Sequence, residues 1–280
     1  MAKKIIETEE QLRSHIPNII SSVKGETPLI ERLSLFLELA EEWVVSNFTS
    51  ETTYNTICGY TDENPTKILV SRLVVAEALR RAIPSLDVVL TPNGFGVVST
   101  NNLAPASKPR IDRLATSMQQ HRDECITALL PVLPEASKWL GSERGSFFGA
   151  TLFPDMSIVD AVGATYSDKW QKYLELRQQL LDLEASLAED WFSPELMTAL
   201  RDSLIRGHLS GMRKDITKQI QAQLVAYLRE GSFNTRRLAD IVNYIRSHRD
   251  DFHEWQHSDT AALFDPPIFV NSKEAHGYFF

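Results

Sequence analysis

Residues 67–84 read KILVSRLVVAEALRRAIP, and at 3.6 residues per turn their apolar positions run round most of the circumference. A helix with so little polar face has to lie at the centre of a fold, with other helices wrapped around it. Arg72 and Glu77 interrupt the run, so it reads as a buried helix rather than a membrane span, which needs about 20 apolar residues. The helix is expected over about 65–83, with Pro84 ending it.

Other helices are legible around it. A short strand at 4–7 leads into a helix opened by Thr8, with Gln11 at capping-box spacing. A helix over about 28–46 buries Leu29, Leu33, Phe36, Leu37, Ala40 and Val44 on one face. Another over about 109–130 carries Ile111, Leu114, Met118, Cys125 and Leu129 as its stripe. Helices resume at about 168–190, then after SPEL, where Ser193 can cap and Pro194 can take the first turn, and again at about 214–230 and 235–255. Between the central helix and the next, LDVVLTPNGFGVVST places two β-prone runs around Asn93-Gly94, the dipeptide that most readily takes positive φ at both turn positions. Both strand faces are expected to carry apolar residues, so this hairpin must lie on helices of its own domain or pair with another subunit.

The expected fold class is mainly α: two helical-bundle halves with one inserted β-hairpin and short terminal strands. The division is 1–140, carrying the hairpin at about 86–99, a connecting segment at 141–165 with little helical period, and 166–280 with an extended tail. The halves echo each other, which points to an internal duplication. Phe48-Thr-Ser-Glu51 resembles Phe192-Ser-Pro-Glu195, and HRDEC at 121–125 resembles HRDDF at 248–252. At the latter offset Arg110, Ile111, Leu114 and Met118 fall opposite Arg237, Leu238, Ile241 and Ile245, although two amphipathic helices share such periodicity by chance as well.

The composition, 43% hydrophobic and 24% charged, is that of a chain able to bury a core. A net charge of -8 argues against a broad phosphate-binding surface, which needs clustered Lys and Arg. Cys58 and Cys125 are too few for a disulfide framework and imply a reducing compartment. The opening MAKKIIETEEQ has too short an apolar stretch for a signal peptide, so a cytoplasmic location is expected.

The most enzyme-like string is HEWQH at 253–257, in which His253 and His257 would bind zinc and Glu254 would activate water. Its flanks, Arg249, Asp250 and Asp251 before and Ser258 and Asp259 after, mark a polar helix end, and Glu254 points away from the stripe formed by Ile241, Ile245 and Phe252. A third ligand would have to be Glu274 or His276 in the tail, and at the HRD offset the string lies opposite ITALL, which offers no ligand. A helix end packing through Trp255 is the better reading. The two HRD triplets lack the asparagine of a kinase catalytic loop, and His121 with Cys125 reads as helix packing rather than a metal pair.

Four stretches, IIETEEQLRSHI, LDVVLTPNGFGVVSTNNLAPASKPRIDRL, DDFHEW with its following serine, and FVNSKEAHGYFF, resemble a family of uncharacterised proteins from phages and prophages of Bacteroidales bacteria. The block at 86–114 is the most specific. Proteins of that family sit among virion structural genes, so the resemblance implies a structural component of the particle, at the head-to-tail junction, and brings no catalytic residues. The position of His253 in that family is often proline, which weakens the zinc reading.

The expected function is therefore a phage-type virion structural or assembly protein of head-tail connector type, located in the host cytoplasm or the virion. It would act through contacts with itself, as a homo-oligomer or ring, or with other virion proteins, without cofactor, membrane or sequence-specific nucleic-acid binding. The expected interface residues are Leu90, Asn93, Gly94, Phe95 and Val97 of the hairpin, Trp255, and Tyr278, Phe279 and Phe280 of the tail, where strand addition across subunits competes with folding back on the same chain. The alternatives are a zinc-dependent hydrolase using His253, Glu254 and His257, and a monomeric protein binding a host factor.

Overall fold

The computed structural model describes residues 3–16, 27–86, 88–91, 94–97 and 107–265, with the segments 88–91 and 94–97 described through their backbone. The chain is mainly helical and divides into two compact units, residues 1–148 with 154–174, and residues 149–153 with 175–280.

In the first unit the apolar run forms α4 (Pro65–Leu86), packed between α2 (Leu29–Val44) and α5 (Lys108–Leu129). Residues 73–78 of α4 are all buried, more than one full turn, so every side of the helix meets protein. The helix runs through Pro84 and stops two residues later. A proline removes only one backbone bond there, and so near the natural end it does not have to break the helix. Before α2 lies α1 (Glu9–Ser14), where Thr8 and Gln11 form the reciprocal capping box expected from their spacing. Residues 4–7 form no strand. Lys3 donates its backbone N–H to Asn55 Oδ1 at 3.0 Å and Ile5 donates to Glu41 Oε1 at 2.8 Å, so helix side chains take the donors a neighbouring strand would have taken.

Backbone segments β1 (Val88–Thr91) and β2 (Gly94–Val97) pair antiparallel, with Val88 opposite Val97 and Thr91 opposite Gly94. This register leaves 92–93 between the strands, one position earlier than a turn centred on Asn93-Gly94. Moving the turn by one position shifts the pairing by two residues, which keeps each strand's faces. Val88 and Leu90 take register positions opposite Val97 and Phe95, and Val89 and Thr91 stand opposite Gly96 and Gly94.

The stretch 141–165 is not an open connection: it contains α6 (Glu143–Gly149) and α7 (Ser157–Val162), and Phe148, Leu152, Met156 and Ile158 are fully buried. Helices this short span under two turns, too little for a period to register in the sequence. The helix α8 (Lys169–Leu187) then gives Trp170 and Tyr173 to the first unit and continues into the second, which holds α9 (Pro194–Ile205), α10 (Gly211–Glu230), α11 (Thr235–Ser247), α12 (His253–Gln256) and α13 (Asp259–Phe264). The helix expected over 235–255 is therefore broken. Ser247 Oγ donates to the Tyr244 carbonyl at 2.8 Å, His248 leaves helical geometry at φ -128°, ψ 42°, and the tighter turn Arg249–Asp251 leads into α12. The tail after 265 lies outside the described residues, and with it the expected C-terminal strand.

Each unit contains the same irregular corner. Helix α2 widens into a π-turn at Val45–Thr49, and α8 does so at Ala188–Phe192. Each π-turn ends on a serine with positive φ, Ser50 at 85° and Ser193 at 64°. Each serine then caps the following helix, with Oγ accepting from Thr53 N at 3.4 Å at the start of α3 (Glu51–Cys58), and from Leu196 N at 3.2 Å at the start of α9. A non-glycine residue at φ above zero with extended ψ is strained by roughly 1–3 kcal/mol, so the fold holds these serines in place.

Candidate functional site

The HEWQH string folds as a single isolated turn, α12. His253 and His257 are exposed, Trp255 is fully buried, and Glu254 is half-buried against α10. The Glu254 carboxylate accepts two bonds from Arg213 Nη2, at 2.7 and 3.0 Å. Burial opposes ionisation of this carboxyl, but the Arg213 hydrogen bonds outweigh it and hold Glu254 below the usual glutamate value. A carboxylate committed to a guanidinium is a poor base for activating water. Among the described residues no three His, Cys, Asp or Glu side chains are grouped as a metal would need, and Glu274 and His276 lie outside those residues.

Trp255 holds the centre of this region rather than its surface, so its ring is closed to a partner. The indole N–H donates to the Trp191 carbonyl at 3.1 Å, two residues before the strained Ser193. The first unit makes the same bond, with Trp139 donating to the Phe48 carbonyl at 2.6 Å, two residues before Ser50. The correspondence continues along the chain. Ser142 Oγ donates to the Trp139 carbonyl and accepts from Gly145 N, just as Ser258 Oγ donates to the Trp255 carbonyl and accepts from Ala261 N. Phe148 lies 6.0 Å from Trp139, and Phe264 lies 6.2 Å from Trp255. WLGSE and WQHSD are thus equivalent turns, each opening a short helix, and the spacing Trp-x-x-Ser-acid is the signal in the sequence that finds them. The HRD offset aligns the starts of α5 and α11 but not their ends: HRDEC lies within α5, whereas HRDDF begins where α11 has ended.

The charged strings serve packing. Glu77, fully buried in α4, accepts from Arg80 at 2.8 Å and Arg81 at 2.6 Å, with Arg122 at 3.8 Å. Arg122 also bonds Asp123 at 2.8 Å and Asp168 at 2.6 Å, tying α5 and α4 to the residue that precedes α8. The second triplet gives Arg249 to Asp265, which also holds Arg246. Cys125 is buried with Sγ 3.8 Å from His121 Nε2, and burial pushes its thiol up to about 11.

The remaining expected interface residues fall in two places. Leu90, Gly94, Phe95 and Val97 sit in the paired strands, with Asn93 between them, outside the described residues. Tyr278, Phe279 and Phe280 also lie outside them. Among the described residues no helix is long and apolar enough to cross a membrane. No curated protein and no solved structure matches the chain. Residues 26–148, which span α2 to α6 and so include the hairpin and the Trp139 turn, are similar to a family of unknown function (DUF6712).

Proposed function

We propose that the chain is a phage- or prophage-type virion structural or assembly protein of head-tail connector type, working through protein–protein contacts in a homo-oligomer or ring and with other virion proteins. The observation that carries this reading is the β1–β2 ribbon. Among the described residues its sheet has two strands and no third. A two-stranded ribbon is marginal alone, and the edges of such a ribbon accept strands from a neighbouring chain. The resemblance of residues 86–114 to a family of uncharacterised phage and prophage proteins supports the same reading. So does the structural use of every enzyme-like string, and accordingly no catalytic or metal role is assigned to His253, Glu254 or His257.

We infer further that the two units are diverged copies of one helical module, for which the matched π-turns, strained serines and tryptophan turns are the support. The role is tested by mass spectrometry of particles induced from a host that carries the gene. The chain should co-purify with them at a fixed copy number, and its absence from intact particles would overturn the reading.

A further inference from the structure

Two charged residues interrupt the apolar run of α4, and packing accounts for one of them. Glu77 is fully buried and held by Arg80, Arg81 and Arg122. Arg72 lies on the exposed side of the same helix, and no ion pair or hydrogen bond from a described residue holds its guanidinium. It lines two cavities at once, one of about 640 Å³ and one of about 570 Å³, and Ser14 and His15 at the end of α1 line both with it. Every residue lining the two is among the described residues.

The cavities differ in charge. The larger also holds the carboxyl groups of Glu10 and Asp62, and its Lys67 is bound to Asp62 at 2.8 Å. In the smaller, Arg13, Arg72, His15 and His121 face a single carboxylate, the exposed Glu124. Arg13 pairs with Glu9 at 3.2 Å, and His121 lies 3.6 Å from Glu124. Burial and the neighbouring Arg72 hold His15 below the usual 6.5, so its imidazole is neutral at pH 7 and still has one N–H to give. Arg72 is therefore the one uncompensated charge of the smaller cavity.

The apolar lining of that cavity continues from the same point. Val75, Ala76 and Leu79 stand three, four and seven residues after Arg72, on one stripe of α4 about 10 Å long, with Met118 of α5 beside them. A charged head at one end of an apolar trough is the form of a site for a small amphipathic anion, and the volume lies within the roughly 300–1,000 Å³ of small-molecule sites.

We infer that this cavity binds a small monocarboxylic acid, its carboxylate on the Arg72 guanidinium with Ser14 and His15 as further donors, and its apolar body along Val75, Ala76, Leu79 and Met118. A guanidinium presents a fork of N–H groups that matches the two oxygens of a carboxylate. One uncompensated charge suits a monoanion, whereas Glu124 opposes a phosphate dianion. The site does not depend on the assembly role proposed above.

Isothermal titration calorimetry of the full chain at neutral pH tests this with hexanoate as the probe. The controls are hexanamide, which has the same body and no charge, and inorganic phosphate. Hexanoate should saturate one site, with both controls at least about tenfold weaker. Lengthening the probe from butanoate to hexanoate should tighten binding roughly threefold per CH₂. Arg72→Met should weaken hexanoate by about tenfold or more, with an unchanged thermal melt because the side chain is exposed and holds no described partner. Hexanoate bound equally by Arg72→Met, or hexanamide bound as well as hexanoate, would overturn the site. Absence of binding at about 10 mM hexanoate by calorimetry and by thermal shift would do the same, and is the result expected if the chain's own residues fill the cavity. Phosphate bound more tightly than hexanoate would overturn the assignment to a carboxylic acid.

Discussion

Trp255 donates its indole N–H to the carbonyl of Trp191 at 3.1 Å, and so braces the π-turn that delivers the strained Ser193 to the start of α9. A residue inside the most enzyme-like string of the chain is thus a structural pin, and its counterpart Trp139 does the same in the other unit.

Trp255→Phe keeps most of the buried ring but leaves the Trp191 carbonyl without its donor, which costs about 1–3 kcal/mol. Trp255→Ala adds a cavity and costs about 3–5 kcal/mol. Urea denaturation should rank the two in that order.

Ser193 combines a cap with an unfavourable backbone. Ser193→Ala loses the bond from Leu196 N and keeps the strain, for a loss of about 1–2 kcal/mol. Ser193→Gly loses the same bond but relieves the strain, so it should be clearly less harmful. Glycine as damaging as alanine in the same denaturation assay would contradict this account.

Two buried glutamates respond to pH in opposite senses. At Glu77 burial opposes ionisation, but hydrogen bonds from Arg80 and Arg81 prevail and its carboxyl lies below the ordinary 4.5. Its contribution is therefore present above that value and lost as pH falls through the lowered one. Glu77→Gln leaves the half-buried Arg80 and Arg81 guanidinium groups without their carboxylate and should cost about 1–3 kcal/mol at neutral pH. At Glu184 burial prevails over Arg201 and the Leu152 N–H, so its carboxyl is raised. The folded state then holds the proton more tightly, and stability falls as pH rises from 4.5 through the raised value. Glu184→Gln should flatten that part of a stability–pH curve measured by thermal melts.

His253→Ala and His257→Ala alter exposed side chains and should shift stability by no more than about 0.5 kcal/mol each. Elemental analysis of untagged protein should give the same metal content for wild type and double variant. Stoichiometric zinc lost on the double substitution would reinstate a catalytic reading of HEWQH.

Local chemistry made much of this fold legible from residues alone. The capping box of Thr8 and Gln11, the Ser193-Pro194 helix start, and the all-round apolar face of α4 depend on neighbours within a few positions, and the sequence determined them by itself. The tertiary structure decided what depends on distant partners. It ended α11 at Ser247 and placed Trp255 under Trp191, because a buried indole needs a carbonyl that lies far away in the sequence. It also chose the hairpin register, pairing Val88 with Val97 and Thr91 with Gly94, where the Asn93-Gly94 dipeptide pointed to a turn one position later. The periodicity of α2 picked out Leu33, Leu37, Ala40 and Val44 and left out the exposed Leu35, but it also placed Leu29 and Phe36 on the buried face, and only the packing of α4 against one side of the helix left these two half-buried.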